Sequence, residues 1–76
     1  NKKTLIMHHW NYRIICNNNQ YYIGEVYYDE NNKPFAITTD PVKLYEFSLN
    51  DLLEDFDNVK KAFELPVFYP NKELPK

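Results

Sequence analysis

Two early segments of the chain read as neighbouring β-strands. Between Trp10 and Cys16 apolar side chains recur at every second position, which is the period of a half-buried strand. A second apolar run covers residues 21–28 and is rich in Tyr. Asn17–Asn19 lies between them, and Asn tolerates the left-handed conformation that tight turns require. The pattern therefore predicts a β-hairpin.

The length of the hairpin turn decides which residues share a face of the sheet. We expect a three-residue loop, because it pairs Tyr12 with Gly24 and joins the apolar sides of both strands. A two-residue turn at Asn18 and Asn19 would shift the register by one residue and place Glu25 beside Tyr12.

A third strand follows a second turn. Residues 29–34 form a turn cluster in which Asn32 occupies the position where Gly is expected. Phe35–Thr39 then provides the strand, and Pro41 ends it because Pro donates no backbone hydrogen bond. The sequence thus predicts a three-stranded antiparallel meander.

The helical periodicity near the C-terminus is the clearest signal in the chain. Ser48 suits the N-cap, acidic residues come early, Lys60 and Lys61 come late as the helix dipole favours, and Pro66 stops the helix. The apolar positions form one stripe: Leu49, Leu52, Leu53, Phe56, Val59 and Phe63. The predicted fold class is α+β, a three-stranded antiparallel sheet with one C-terminal amphipathic helix packed on one face.

We expect a single ββ(β)α domain over residues 10–70. Residues 1–9 are interpreted as an N-terminal extension that is partly disordered, and residues 71–76 as a frayed tail. The face expected to lie under the helix comprises Trp10, Tyr12, Ile14, Tyr22, Val26, Tyr28, Phe35 and Ile37.

The opposite face is the predicted partner-binding surface. It is too apolar for a fully solvated surface, and mixed patches of this kind mark association surfaces in small domains. Its residues are Arg13, Ile15, Tyr21, Ile23, Glu25, Tyr27, Ala36 and Thr38. The alternative is that the tail with Val67, Phe68 and Tyr69 closes this face. Glu54 and Asp55 on the helix are either a docking face for a basic partner or a solvated surface.

Composition narrows the class of protein. The chain has 76 residues, a net charge of -2 and 17% aromatic residues, which describes one small domain with a core built from large rings. No run reaches the length of a membrane span, and there is no basic cluster for nucleic acid. Cys16 is the single cysteine, so a reducing, cytoplasmic setting is expected.

Candidates for chemistry are few. His8, His9 and Cys16 could contribute to a metal site, but a structural zinc site usually needs four ligands. The acidic pairs are adjacent in sequence and point apart, and there is no Gly-rich phosphate loop. The prediction is a protein without catalytic residues, metal or cofactor.

The chain resembles a group of short uncharacterised bacterial proteins. The residues that carry the resemblance are Trp10–Ile15, Tyr22–Glu30, Pro34, Thr39, Pro41 and the acidic helix that ends near Leu65-Pro66-Val67. Asn31 and Asn32 depart from the group, which commonly has Gly in this turn, and Tyr45-Glu46 stands where the group has Gly-Glu. The resemblance implies a shared fold and no catalytic residues.

The function expected from these observations is protein binding. We expect a small inhibitor or adaptor that occupies a surface on a larger macromolecule, as a phage-encoded inhibitor of a bacterial defence complex would. The alternatives are a self-associating structural domain, for example a homodimer, and a small metal-dependent protein that uses His8, His9 and Cys16.

Overall fold

A computed structural model of the protein describes residues 9–75. It contains strands β1 (His9–Asn17), β2 (Gln20–Tyr28) and β3 (Pro34–Ile37), helix α1 (Leu49–Lys60), a 3-10 turn (Lys61–Glu64) and a short helix α2 (Pro70–Glu73). The strands form one antiparallel sheet in the order β1-β2-β3. The predicted α+β class, with a three-stranded meander and a C-terminal helix, is confirmed.

The β1–β2 turn has two residues, and the predicted three-residue loop is wrong. Asn18 and Asn19 have φ angles of 54° and 63°. Positive φ at both central positions is the type I′ geometry, whose twist matches that of the flanking strands. Tyr12 therefore pairs with Glu25, and Arg13 pairs with Gly24. One asparagine fewer in the turn moves every β1 residue to a new partner.

The β2–β3 turn follows the prediction. Asn32 has φ of 63°, so it occupies the left-handed position expected of Gly. The side-chain oxygen Oδ1 of Asp29 accepts hydrogen bonds from the backbone of Asn31 at 2.8 Å and of Lys33 at 3.0 Å. This Asx-type arrangement stabilises the turn locally.

The observed register defines two faces of the sheet. The first, here called the Ile15 face, carries His9, Asn11, Arg13, Ile15, Asn17, Tyr22, Gly24, Val26, Tyr28 and Ile37. The second, here called the Trp10 face, carries Trp10, Tyr12, Ile14, Cys16, Tyr21, Ile23, Glu25, Tyr27 and Ala36.

The main core lies on the Ile15 face and depends on Phe68. The backbone of Phe68 pairs with the free edge of β1: its N–H donates to Ile14 at 2.8 Å, and its carbonyl accepts from Cys16 at 2.9 Å. Its ring is buried with Ile15 and Val26. Residues 67–69 were expected to be an extended tail packed on the domain, with closure of the face of Arg13 and Ile15 as the alternative. Phe68 does pack on that face, and its ring lies at the centre of the core.

Helix α1 begins as predicted and lies toward the Trp10 face. The Ser48 hydroxyl accepts from the Asp51 backbone N–H at 3.1 Å, which caps the helix. Asn58 and Lys61 stand beside Trp10 and Tyr12 at the edge of β1. The chain then crosses the edge of β1, so α1 and α2 are on different sides of the sheet.

The segment expected to be frayed is folded over the Ile15 face. Residues 70–73 form α2, and Leu74 packs against the core. The Tyr69 backbone N–H donates to the Glu73 carboxylate at 2.8 Å, which caps α2. The expected N-terminal extension, apart from His9, lies outside the described residues.

The hairpin turn makes a first test of the register. Asn19→Gly should raise the free energy of unfolding by about 0.5 kcal/mol, because Gly adopts positive φ without steric cost. Asn19→Val should lower it by about 1–2 kcal/mol, since a β-branched residue is strained there. Urea unfolding of the variants measures both changes. Equal stability of the Gly and Val variants would contradict the two-residue turn.

The core position makes a second test. Phe68→Ala should lower the free energy of unfolding by about 3–5 kcal/mol, because it removes a ring that is 1% exposed. Phe47→Ala is the control, since Phe47 is fully exposed and its removal should change stability by less than about 0.5 kcal/mol. Thermal or urea unfolding at one protein concentration compares the two, and equal effects would show that Phe68 is not central to the core.

Candidate protein-interaction surfaces

The structure divides the predicted partner-binding residues between the two faces. Tyr21, Ile23, Glu25 and Tyr27 lie on the Trp10 face. Trp10, Tyr12 and Ile14 were expected to lie under α1, on the face opposite to these four residues. Arg13 and Ile15 lie on the Ile15 face instead. Both were predicted to be available to a partner. For Ile15 that prediction is wrong, because the observed register places it beside Tyr22 on the face that Phe68 covers, where it is fully buried. Arg13 is half-buried, and its availability to a partner stays a prediction.

Arg13 and Ile15 have structural roles. Ile15 is fully buried against Phe68. Arg13 donates to the Pro66 carbonyl through Nη2 at 2.7 Å and Nε at 3.2 Å. It also donates to the Tyr28 hydroxyl at 2.9 Å, and its guanidinium carbon lies 5.5 Å from the centre of the Phe68 ring. Arg13 thus fastens the C-terminal segment to the sheet.

An open cleft lies where the Trp10 face meets the segment that precedes α1. Tyr12 and Glu25, a cross-strand pair, form part of its lining. The cleft has a volume of about 930 Å³. The remaining lining residues are Ile37, Thr38, Thr39, Asp40, Pro41, Val42, Lys43, Tyr45, Glu46, Phe47 and Asp55. We call it the acidic cleft, because four carboxylates and a single Lys line it.

Two carboxyl groups in the acidic cleft interact directly. Hydrogen bonding with the Asp55 side chain, followed by the negative charges of Asp55 and Asp51, raises the pKa of Glu46 above its ordinary value. Two neighbouring carboxylates repel each other, so the site favours a proton or another cation near them. Glu46 is exposed, which means that a cationic group from outside can reach it.

The same negatively charged groups raise the pKa values of two tyrosines. Burial, and then the charges of Glu25, Asp55 and Glu46, raise the pKa of Tyr12. Tyr27 donates a hydrogen bond to Glu25, and this bond is the main reason that the pKa of Tyr27 is raised. Both phenols therefore stay neutral near pH 7. The acidic cleft combines aromatic rings with carboxylates, an arrangement that suits Lys and Arg side chains.

The predicted helix residues differ in their relation to the cleft. Asp55 is half-buried and lines it, whereas Glu54 is exposed on α1 and does not. The sequence interpretation missed Tyr45 and Glu46, because residues 42–47 were treated as a connector. Their signal was present as aromatic residues and an acid in a segment without strand or helix periodicity.

The apolar stripe of α1 is mostly uncovered, contrary to the prediction that it packs on the sheet. Leu49 is 81% exposed, Leu53 58%, Phe56 50% and Phe63 in the 3-10 turn 69%. Within α1 only Val59 is buried. The helix rests on one flank of its stripe, since residues 52, 55 and 59 share the side toward the sheet at 3.6 residues per turn. The other flank faces solvent.

A shallow apolar groove lies on this exposed flank. It has a volume of about 370 Å³ and is lined by Leu44, Leu49, Leu52, Leu53 and Phe56. These five residues together with Phe63 are called the α1 apolar surface below. An exposed apolar patch of this kind is a candidate association surface.

The candidates for metal binding are not brought together. His9 is at the start of β1, where its ring stacks on Tyr28 at 5.1 Å, and Cys16 is near the other end of the strand. Seven residues of extended backbone place them about 23 Å apart. No group of three His, Cys, Asp or Glu side chains within residues 9–75 could hold a metal ion. His8 lies outside the described residues.

Comparisons with protein-family models, with curated proteins and with solved structures find no match. The resemblance to short bacterial proteins stays a prediction from the sequence. In the described part of the chain there is also no helix with the length and apolar character needed to cross a membrane.

The Glu46–Asp55 contact predicts a pH dependence. The folded protein holds the Glu46 proton more tightly than the unfolded chain, whose pKa is near 4.5. The stability that this proton contributes is fully present below that pH and is lost as the pH rises through the raised pKa. Asp55→Asn should return the pKa of Glu46 toward 4.5 and remove this loss.

Carboxyl carbon NMR titration measures the pKa, and urea unfolding at each pH measures the stability. Glu30→Gln, in the β2–β3 turn, is the control and should leave the Glu46 titration unchanged. An identical Glu46 titration in wild type and Asp55→Asn would contradict the direct interaction. Added salt should reduce the difference, because Glu46 is exposed.

Proposed function

We propose that this protein is a non-catalytic protein-binding module whose acidic cleft occupies a basic site on a larger macromolecule. The observation that carries the proposal is the convergence of Glu25, Glu46 and Asp55 around Tyr12 in a cleft open to solvent. A Lys or Arg side chain entering the cleft would relieve the repulsion between Glu46 and Asp55. It would also contact the faces of the tyrosine rings.

The charge and position of the cleft favour a protein over a nucleic acid. Phosphate groups would meet four carboxylates and one Lys, which is repulsive. A basic protein surface is complementary to the same charges and is steered toward them at low ionic strength. Occupying a functional basic site on a larger complex would make the protein an inhibitor or an adaptor, and a phage-encoded inhibitor of a bacterial defence complex fits this mode of action.

A catalytic role has less support within residues 9–75. His9 and Cys16 are at opposite ends of β1, and the residues that line the acidic cleft include no Ser, Cys or His beside its carboxylates. The single Cys16 fits a reducing, cytoplasmic setting. Protein binding is therefore the function that the described side chains support best.

The test compares two variants with the same change in charge. Glu46→Gln/Asp55→Asn alters the acidic cleft, and Glu54→Gln/Asp57→Asn removes two exposed carboxylates on α1 outside the cleft. Each tagged protein is used to capture interacting proteins from lysate of the native host, with quantitative mass spectrometry. We expect the cleft variant to recover the main partner at least about tenfold less well, a change of about 1.4 kcal/mol.

The control variant should recover the partner as wild type does. Binding should also weaken with salt, because charged groups at an accessible surface are screened. Equal recovery by both variants would show that the cleft does not bind the partner. Capture of nucleic acid instead of a basic protein would contradict the proposed class of partner.

A further inference from the structure

The α1 apolar surface contains a protruding ring and a groove that could receive it. Phe63 projects from the 3-10 turn and is 69% exposed. The groove of Leu44, Leu49, Leu52, Leu53 and Phe56 begins about two turns from Phe63 and extends to the start of the helix. Its volume of about 370 Å³ is larger than a phenyl ring requires. Phe63 does not line the groove of its own chain.

The spacing of these residues is symmetric. Phe56 lies seven residues from Leu49 and seven residues from Phe63. Seven residues are about two helical turns, or about 10 Å along the axis, so the three positions share one side of the helix. A two-fold axis at Phe56 therefore places Phe63 of one helix opposite Leu49 of another. In such an isologous contact each Phe63 ring enters the groove of the other copy, so both rings are buried and both grooves are filled.

The helix dipole favours an antiparallel arrangement. Two antiparallel α1 helices oppose their dipoles, whereas parallel helices would bring like ends together. The apolar side chains are placed symmetrically about Phe56 within one element, so the surface is complementary to itself. A second copy of the same chain is therefore the occupant that supplies both a ring and a groove.

The exposed area is sufficient for a specific dimer. With about 150–250 Å² for a fully exposed large side chain, the exposed parts of the α1 apolar surface amount to on the order of 500 Å² per copy. A standard interface buries about 800 Å² per partner, of which about 65% is apolar in homodimers. The exposed area of the α1 apolar surface therefore matches the apolar part of a standard homodimer interface.

We propose that two copies of this protein form an antiparallel homodimer through the α1 apolar surface, with Phe63 of each copy in the groove of the other. The acidic cleft lies on the sheet side of α1, next to Asp55, and stays open in this arrangement. The dimer therefore presents two acidic clefts to a partner. The proposal is independent of the identity of that partner.

Sedimentation equilibrium of the full chain over a wide concentration range tests the dimer. Wild type should sediment as a dimer, and Phe56→Glu should sediment as a monomer with at least a 100-fold weaker association, because it places two charges at the two-fold axis. Tyr21→Glu is the matched control: Tyr21 is 67% exposed on β2, and this variant should remain dimeric. Circular dichroism verifies that each variant is folded.

Cysteine cross-linking tests the orientation. In a Cys16→Ser background, an equal mixture of the Leu49→Cys and Phe63→Cys proteins should form a mixed disulfide, and neither protein alone should cross-link. Cross-linking of either protein with itself would overturn the antiparallel arrangement. A monomeric wild type, or a dimer that persists in Phe56→Glu, would overturn the proposed interface.

These outcomes are separable from those for the acidic cleft. Glu46→Gln/Asp55→Asn should remain dimeric while losing its partner, and Phe56→Glu should still recover that partner. Loss of partner capture only in Phe56→Glu would show that another protein occupies the α1 apolar surface, which would overturn the homodimer.

Discussion

The contact of Phe68 with the edge of β1 determines how the rest of the chain is arranged. Its backbone satisfies hydrogen-bonding groups of Ile14 and Cys16 that the sheet leaves open, and its ring completes the core over Ile15. Arg13 secures the segment just before Phe68 by donating to the Pro66 carbonyl. Because the chain must cross the edge of β1 at this point, α1 is kept on the Trp10 face and α2 on the Ile15 face.

This arrangement leaves the molecule with a small core and a large exposed apolar surface. Among the described residues, the buried apolar side chains are Ile15, Val26, Val59, Ala62 and Phe68. The chain's own C-terminal segment covers the Ile15 face. Little of the apolar stripe on α1 is therefore buried against the sheet. The helix contacts the sheet with one flank, and its other flank remains exposed. A domain of this size thereby keeps apolar area for association without a second layer.

The two candidate surfaces differ in their physical basis. In the acidic cleft, Glu46 and Asp55 repel each other in the free protein, and a cationic group relieves that repulsion. On the α1 apolar surface, association removes leucine and phenylalanine side chains from water. The first interaction is sensitive to salt and pH, and the second is not strongly so. They lie on different sides of α1, which allows self-association and partner binding in one assembly.

The sequence by itself determined the three strands and helix α1 but not α2, because strand and helix periodicity, the Ser48 cap and the left-handed Asn32 are local properties. The tertiary structure decided which residues lie on each face of the sheet. The sequence could not distinguish a two-residue from a three-residue asparagine turn, and this single residue placed Arg13 and Ile15 on the same face as Val26 and Tyr28, where Ile15 is buried and Arg13 is half-buried. Arg13 and Pro66 are 53 positions apart, and no local pattern encodes such a contact. The acidic cleft likewise exists only because the fold brings Glu25, Glu46 and Asp55 together from three separate segments.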